Sequence, residues 1–124
     1  MPWQPELDEL AKRRLLARRM GGEDKLARHR AAGKLPVRER MELLVDPDSL
    51  VEVGGLAGSG HYDERGQLVD FTPSNFLMGR ARIDARPVVV VGDDFTVRGG
   101  ANDGAVGDKF IFAEQMAQEL RVPM

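Results

Sequence analysis

The spacing of the hydrophobic residues changes near Asp48, and this change limits the possible folds more than any other feature of the sequence. Before Asp48, segments rich in Glu, Leu, Ala, Lys and Arg are separated by glycine and proline, as is typical of α-helices. These segments predict three helices: Glu6–Met20, Glu23–Ala32 and Val37–Leu44. After Asp48 the hydrophobic residues recur with period two, which indicates β-strands. The sequence therefore predicts an α/β protein with a helical arm over residues 1–48 and a second unit over residues 49–124.

Three strands are predicted in the second unit: Leu50–Val53, Phe76–Ile83 and Pro87–Val91. Residues 54–70 are rich in glycine and polar side chains, so we expect them to form a loop. Asp84-Ala85-Arg86 joins the last two strands through a three-residue loop or a strained one, because Ala85 suits a positive φ poorly. Residues 93–97 are expected to continue as strand.

The helix predicted at Ala105–Leu120 is apolar over more than one face. It follows a glycine-rich loop, and Asn102 or Asp103 is expected to cap its first turn. Arg121–Met124 has the pattern of another strand beginning. Hairpin, loop, helix and strand are the order of a repeating ββα unit, and one such unit alone leaves apolar surface exposed. We therefore expect either that the sequence is a fragment or that an oligomer covers this helix.

Basic residues are concentrated in one segment of the chain. Residues 12–40 hold eleven Lys and Arg against three acidic residues, a charge of +8, whereas the rest of the chain carries −10. This asymmetry indicates either that the basic N-terminal segment binds an anion or that it is a helical arm that lies against an acidic surface. The cations occupy all sides of the helices and the segment contains no aromatic residue for base stacking, so an interface-forming or solvated arm is favoured over nucleic-acid binding.

Several functional classes are not expected. The chain has no cysteine, and His29 and His61 lie far apart in the sequence, so neither thiol chemistry nor a metal site is predicted. Apolar runs are far shorter than the roughly 20 residues of a membrane helix. The N-terminus also lacks the apolar region of a signal peptide. A cytoplasmic location without membrane contact is therefore expected.

The Gly99-Gly100 loop is the best candidate for a ligand site. Glycines allow backbone N–H groups to converge on an oxyanion or phosphate, and a helix N-terminus downstream adds positive potential. A plain turn without a ligand is the alternative, and the residues alone leave both open. Asp93 and Asp94 would point to opposite faces of a strand, so we expect one to pair with an arginine and the other to be solvated. His61 is expected to be a solvated loop residue.

Four segments in order, over nearly the whole chain, carry a recognisable set of motifs. Arg28–Asp46 is similar to the pattern AxGKLxxRERxxLLxD, and Ser49–Gly54 to an SFxEx strand. Gly79–Val90 is similar to a GxGxIxGRPVVV hairpin, and Asp93–Gly100 to an xDFTVxGGS segment. The chain thereby resembles the carboxyltransferase subunits of biotin-dependent acyl-CoA carboxylases, such as propionyl-CoA carboxylase β chains.

This resemblance implies the first ββα units of a crotonase-like (ClpP/crotonase) fold, incomplete, with residues 49–124 as part of a carboxyltransferase N-domain. It implies transfer of a carboxyl group from carboxybiotin to the α-carbon of an acyl-CoA, with backbone oxyanion holes that stabilise the enolate and the biotin ureido oxyanion. Gly99, Gly100 and Ala101 would then lie near the bound acyl-CoA. The parent enzyme would work with a biotin carboxylase or biotin carrier subunit and form a homo-oligomer.

Two departures from the family pattern limit what the resemblance implies. Ala85 stands where the hairpin usually has glycine, and family members are several times longer. The Gly-Gly motif expected soon after Val122 and the second domain have no counterpart, so neither a catalytic residue nor a bound cofactor is expected in this chain. We expect an N-terminal fragment that is inactive alone. The alternative is a stand-alone interaction module whose basic helical arm binds nucleic acid or a partner subunit.

Overall fold

The computed structural model describes residues 2–101 and 106–124, which form helices on both faces of a small antiparallel sheet. The elements are α1 Gln4–Arg18, α2 Glu23–Ala31, α3 Val37–Leu44, β1 Val51–Val53, β2 Gly58–Tyr62, β3 Leu68–Pro73, β4 Phe76–Ile83, β5 Arg86–Asp93 and α4 Lys109–Leu120. The three helices predicted before Asp48 are confirmed, each end lying within two residues of the prediction. None of the helices in the described ranges is long and apolar enough to cross a membrane.

The central sheet has the strand order β1-β4-β5, and both of its faces are buried. One face packs against α3 and the corner between α1 and α2, and the residues of that core are Met20, Val37, Met41, Leu77, Ala81 and Val90. The other face packs against α4, through Phe76, Met78, Val89, Ala113 and Ala117. Successive residues of a strand face opposite sides of the sheet. Hydrophobic residues at both odd and even positions of β4 and β5 are therefore needed to bury the two faces.

The turn between β4 and β5 is shorter than three residues. Arg86 pairs with Ile83, which leaves only Asp84 and Ala85 in the turn, both with positive φ (51° and 65°). The three-residue loop is therefore wrong and the strained alternative is confirmed. The carboxylate of Asp46 accepts hydrogen bonds from the N–H groups of Asp84 (2.9 Å) and Ala85 (2.7 Å), which stabilises this strained turn from outside.

Residues 54–70, predicted to form a loop, instead contain β2 and the start of β3, which form a separate antiparallel hairpin. Most of β2 is exposed, so the strand lacks the alternation of buried and exposed side chains that identifies strands in a sequence. The prediction of a loop failed because this hairpin depends on a partner that is distant in the sequence, namely α1.

The basic helix α1 lies across the β2–β3 hairpin and is fixed there by its cations. Lys12 donates to the carbonyl of Leu68, and Arg13 donates to the hydroxyl of Tyr62 at 2.5 Å. Arg19 forms an ion pair with Asp70 at 2.6 Å. The N–H of Phe71 and the Arg19 guanidinium lower the pKa of Asp70 below its usual value of 3.8. The arm therefore forms an interface with the rest of its own chain, rather than being a solvated helix.

Helix α4 begins at Lys109 rather than at Ala105, and Asp108 occupies its N-cap position. The predicted cap residues Asn102 and Asp103 lie outside the described residues. The helix presents Ala113 and Ala117 to the sheet, while a row of larger apolar side chains is exposed, comprising Phe110, Ile111, Phe112 and Leu120.

After Leu120 the chain reverses at Arg121, which has a left-handed conformation (φ 54°). The carbonyl of Pro123 then accepts a hydrogen bond from the N–H of Val89 at 2.9 Å, so this segment lies beside β5. The segment expected to begin a strand therefore makes one backbone hydrogen bond to the sheet, but residues 121–124 do not form a regular strand.

Candidate functional site

The loop that follows β5 begins with two carboxylates in different environments. β5 ends at Asp93, and Phe95–Val97 form a turn, so the predicted strand over residues 93–97 is wrong. Asp94 is buried, and its carboxylate accepts hydrogen bonds from the N–H (2.9 Å) and hydroxyl (2.5 Å) of Thr96. These bonds stabilise the turn. The buried carboxylate of Asp94 therefore binds Thr96, and the predicted pairing with an arginine is wrong. Asp93 is exposed, as expected for the other one.

Asn75 holds both ends of this loop. Its side chain is buried, with 3% of its surface exposed. The main-chain carbonyl of Asn75 accepts a hydrogen bond from the N–H of Asp94 at 2.7 Å, and its side-chain amide donates to the carbonyl of Ala101, also at 2.7 Å. One residue in the corner between β3 and β4 therefore fixes the distance between positions 94 and 101.

A third anchor comes from the corner between α1 and α2. The N–H of Gly21 donates to the hydroxyl of Thr96 at 3.1 Å. A Cβ at Gly21 would lie 1.9 Å from the carbonyl oxygen of Thr96, so only glycine allows the two segments to approach this closely. The loop is thus held by residues from two distant parts of the sequence.

The candidate residues Gly99, Gly100 and Ala101 lie at the tip of the loop. Arg98–Gly100 form a short 3₁₀ turn in which all three residues have positive φ. The N–H of Gly100 donates to the carbonyl of Val97 and that of Ala101 to the carbonyl of Arg98, both at 3.1 Å. These two N–H groups are therefore used inside the turn, and do not converge on an open site as the sequence suggested.

The outer surface of the loop is nonetheless shaped for contact. Phe95 is 61% exposed, and its ring lies over Gly100, where an added Cβ would meet ring atoms at 3.4 Å. A Cβ at Gly99 would meet none of the atoms of residues 2–101 and 106–124 within 4 Å.

Lys109 is a buried cation that the sequence analysis did not single out. Its side chain is 6% exposed and its ammonium donates to the carbonyl of Phe76 at 2.5 Å. Burial lowers its pKa below 10.5, while the nearby Glu52 carboxylate opposes that shift and the Arg38 guanidinium adds to it. Glu52 and Arg38 themselves form a two-bond ion pair at 2.8 and 3.0 Å. In the sequence Lys109 is an ordinary polar position within the predicted helix Ala105–Leu120, which gave no signal of burial.

The histidines do not join this site. His61 lies in β2 rather than in a loop, is exposed, and its Nε2 is 3.4 Å from the hydroxyl of Thr72. His29 is half-buried near the end of α2, with its Nε2 3.3 Å from the carbonyl of Leu35. Over residues 2–101 and 106–124, no three potential metal ligands of the His, Cys, Asp and Glu types lie close enough to hold an ion.

Comparison with known proteins identifies relatives of this arrangement. The chain is 36% identical over 104 residues to the probable mitochondrial methylcrotonoyl-CoA carboxylase β chain of Drosophila melanogaster, covering 83% of this chain and 17% of that protein. It is 34% identical over 121 residues to the biotin-dependent acetyl-/propionyl-CoA carboxylase β5 subunit of Mycobacterium tuberculosis, covering 96% of this chain and 22% of the relative. The chain therefore spans about a fifth of the length of these relatives.

A solved structure gives the same result for the fold. The chain superimposes on transcarboxylase 12S, a hexamer crystallised with methylmalonyl-CoA and methylmalonic acid, with a TM-score of 0.76 and 27% identity. The superposition covers 94% of this chain and 23% of the transcarboxylase chain, and it confirms the predicted α/β architecture of a crotonase-like carboxyltransferase. Residues 28–124 match the family model of the carboxyl transferase domain. The chain thus belongs to the carboxyl transferase domain family of the biotin-dependent acyl-CoA carboxylase β subunits.

Proposed function

We propose that the chain forms the N-terminal portion of a carboxyltransferase subunit that transfers a carboxyl group from carboxybiotin to the α-carbon of an acyl-CoA. The observation that carries this proposal is the match of residues 28–124 to the carboxyl transferase domain. The superposition with a transcarboxylase that binds methylmalonyl-CoA supports it. Because the chain spans about a fifth of its relatives, the activity belongs to the longer subunit. The chain alone is expected to be inactive.

The role of this chain in that reaction is to contribute part of the protein surface that binds the acyl-CoA. Carboxyl transfer builds negative charge on the thioester oxygen, and fixed N–H dipoles aimed at that oxygen lower the barrier. The N–H groups of Gly100 and Ala101 already donate inside their turn, so in this conformation they supply no such dipole. We therefore assign Gly99, Gly100 and Ala101 to substrate contact, beside the exposed ring of Phe95, and assign no catalytic residue.

The cofactor and partners of the proposed subunit follow from the same relationship. Biotin would arrive on a carrier protein, in association with a biotin carboxylase subunit, and the carboxyltransferase subunits would form a homo-oligomer in the cytoplasm. No step involving biotin is assigned to the residues of this chain. Within the chain, we propose that residues 1–48 form a helical arm and residues 49–124 part of the carboxyltransferase N-domain.

The proposal is tested with the full subunit assembled with its carboxylase and carrier partners. Fixation of radioactive bicarbonate into acid-stable product is measured with acetyl-, propionyl- and methylcrotonoyl-CoA. Carboxylation of at least one acyl-CoA is expected, whereas turnover with none of them contradicts the proposed function.

The loop assignment is tested separately by Gly99→Ala, which adds a methyl group where no atom of the described residues lies within 4 Å. Gly33→Ala is the matched control, since Gly33 also has a positive φ and no described atom within 4 Å of an added Cβ, but lies at the end of α2. We expect Gly99→Ala to raise KM for acyl-CoA several-fold and Gly33→Ala to leave it unchanged. Equal KM values for the two variants would exclude contact between this loop and the substrate.

An interaction module that binds nucleic acid is a weaker candidate function. Six of the eleven basic residues in 12–40 donate to acceptors within the chain: Lys12, Arg13, Arg19, Arg30, Arg38 and Arg40. Phosphate binding needs cations that are free to contact the backbone of the nucleic acid. A salt-sensitive mobility shift with DNA, and no binding of acyl-CoA, would favour this second function.

A further inference from the structure

A small polar cavity lies where the α1–α2 corner, α3, β1 and the start of α4 meet. It offers about 20 Å³ of space accessible to water, and all of its lining residues are buried or half-buried. A single buried water molecule needs roughly 10–15 Å³. The polar part of the lining comes from Arg38, Glu52, Ser74, Asp94 and Lys109. The cavity therefore has room for one water molecule and polar groups that can bind it.

The ammonium group of Lys109 has more donors than the protein uses. Among the residues that the structure describes, it donates one hydrogen bond, to the carbonyl of Phe76. A lysine ammonium carries three N–H groups. Burial of a charged group is costly unless its hydrogen bonds are made. An acceptor inside the cavity would therefore stabilise Lys109 in its buried position.

The segment that follows β1 is shaped around Lys109 and the carboxylate of Glu52. Gly54 has φ +72°, and a Cβ there would lie 3.1 Å from Cε of Lys109. A Cβ at Gly55 would lie 3.1–3.4 Å from the carboxylate group of Glu52. Because a larger residue at either position would crowd these side chains, the two glycines allow both charged groups to line one cavity.

Glu52 and Ser74 supply complementary partners for a water molecule. Both carboxylate oxygens of Glu52 accept from Arg38, at 2.8 and 3.0 Å, and each has a further lone pair. The hydroxyl oxygen of Ser74 accepts from the N–H of Phe76 at 3.2 Å, so its own O–H can donate. A water that accepts from Lys109 and Ser74 and donates to Glu52 makes about three hydrogen bonds, as buried waters usually do.

The charge of the lining favours a neutral molecule over an ion. Arg38 and Lys109 carry positive formal charges and Glu52 and Asp94 negative ones, so the four charges cancel near neutral pH. An anion would face two carboxylates, and a cation would face two positive groups. A water molecule meets neither repulsion.

We infer that this cavity binds one structural water molecule, held by Lys109, Glu52 and Ser74. The water connects α4 to β1, and Glu52 extends the connection to Arg38 in α3. Lys109 also binds the carbonyl of Phe76, next to Asn75, which holds both ends of the loop over residues 94–101. The water thereby ties the helical arm and α4 to the corner that anchors the loop.

A high-resolution crystal structure of the full subunit, from crystals soaked in bromide, tests this inference. In the wild-type protein we expect a water peak about 2.7–3.2 Å from Nζ of Lys109, and at similar distances from the side-chain oxygens of Glu52 and Ser74. Lys109→Met keeps an unbranched stem but has no ammonium group, so the peak should be lost. Lys25→Met is the matched control, an exposed lysine of α2 outside the cavity, and should leave the peak in place.

Three results would overturn the inference: a wild-type map without a peak in the cavity, a peak with the anomalous signal of bromide, or a peak that persists unchanged in Lys109→Met. If that variant does not fold, Ser74→Ala removes another of the three partners and should lower the occupancy of the water. Unchanged occupancy in Ser74→Ala would then overturn the inference. The maps are read without an activity assay, so a failure of carboxyl transfer would leave this inference intact.

Discussion

Replacing Gly21 with alanine is expected to destabilise the chain by about 2–3 kcal/mol, because the backbone of Thr96 already occupies the space of the added methyl group. The new Cβ would lie 1.9 Å from the carbonyl oxygen of Thr96 and 2.4 Å from its carbonyl carbon. Backbone atoms cannot rotate away as a side chain can. The α1–α2 corner and the loop after β5 must therefore move apart.

The size of the effect follows from the distances. A carbon and an oxygen in ordinary contact lie roughly 3.3 Å apart, so the two segments must separate by about 1.4 Å. That separation breaks the 3.1 Å hydrogen bond from Gly21 to the Thr96 hydroxyl. Such a bond contributes about 1 kcal/mol, and forced displacement of packed segments adds about 1–3 kcal/mol. Alanine also reduces the conformational entropy of the unfolded chain, which offsets about 0.4–1 kcal/mol of this loss of stability.

Urea unfolding of the 124-residue chain measures this loss, with Gly33→Ala as the control. Gly33 has φ +77°, and none of the described residues lies within 4 Å of an added Cβ, so its replacement is expected to cost only left-handed strain, a net loss of about 1 kcal/mol or less. Gly21→Ala should also accelerate hydrogen exchange in residues 94–101, since an anchor of that loop is lost. A Gly21→Ala loss no larger than that of Gly33→Ala would refute the steric argument.

Two further predictions concern strain and a buried charge. Ala85→Gly should stabilise the chain by about 0.5–1 kcal/mol, because removal of left-handed strain at φ 65° exceeds the entropy cost of glycine; a lower urea midpoint would contradict it. The lowered pKa of Lys109 means that the unfolded state binds more protons below pH 10.5, so the free energy of unfolding should rise as pH increases toward 10.5. Lys109→Met should reduce that slope, and identical slopes in urea titrations from neutral pH upward would show that Lys109 does not cause it.

The parts of the fold that could be predicted are those in which local pattern and final environment agree. β4 alternates along its length and β5 holds the run Val88–Val91, so both read as strands before any partner is known. The helices before Asp48 are bounded by glycine and proline, which act within a few residues. Asp84 and Ala85 also follow local rules, because an L-residue at positive φ is strained wherever it occurs.

The parts that could not be predicted depend on contacts between distant residues. Gly58 and Gly60 make β2 look like a loop, and only its pairing with β3 under α1 makes it a strand. The glycine pair at 99 and 100 identifies a turn, but its sequence does not show that the following N–H groups donate inside that turn. Asn75 gives no local signal either, because its role is defined by Ala101, which lies 26 residues later in the chain.

The candidate loop depends on the same helix that packs against the β2–β3 hairpin. The corner at the end of α1 holds the loop through the hydrogen bond between Gly21 and Thr96. The position of α1 is in turn set by its cations on the β2–β3 hairpin. A shift of α1 would therefore move an anchor of the loop. The loop over residues 94–101 is expected to keep its position only while α1 remains docked on the hairpin, so hydrogen exchange in the loop should rise whenever the contacts between α1 and the hairpin are weakened.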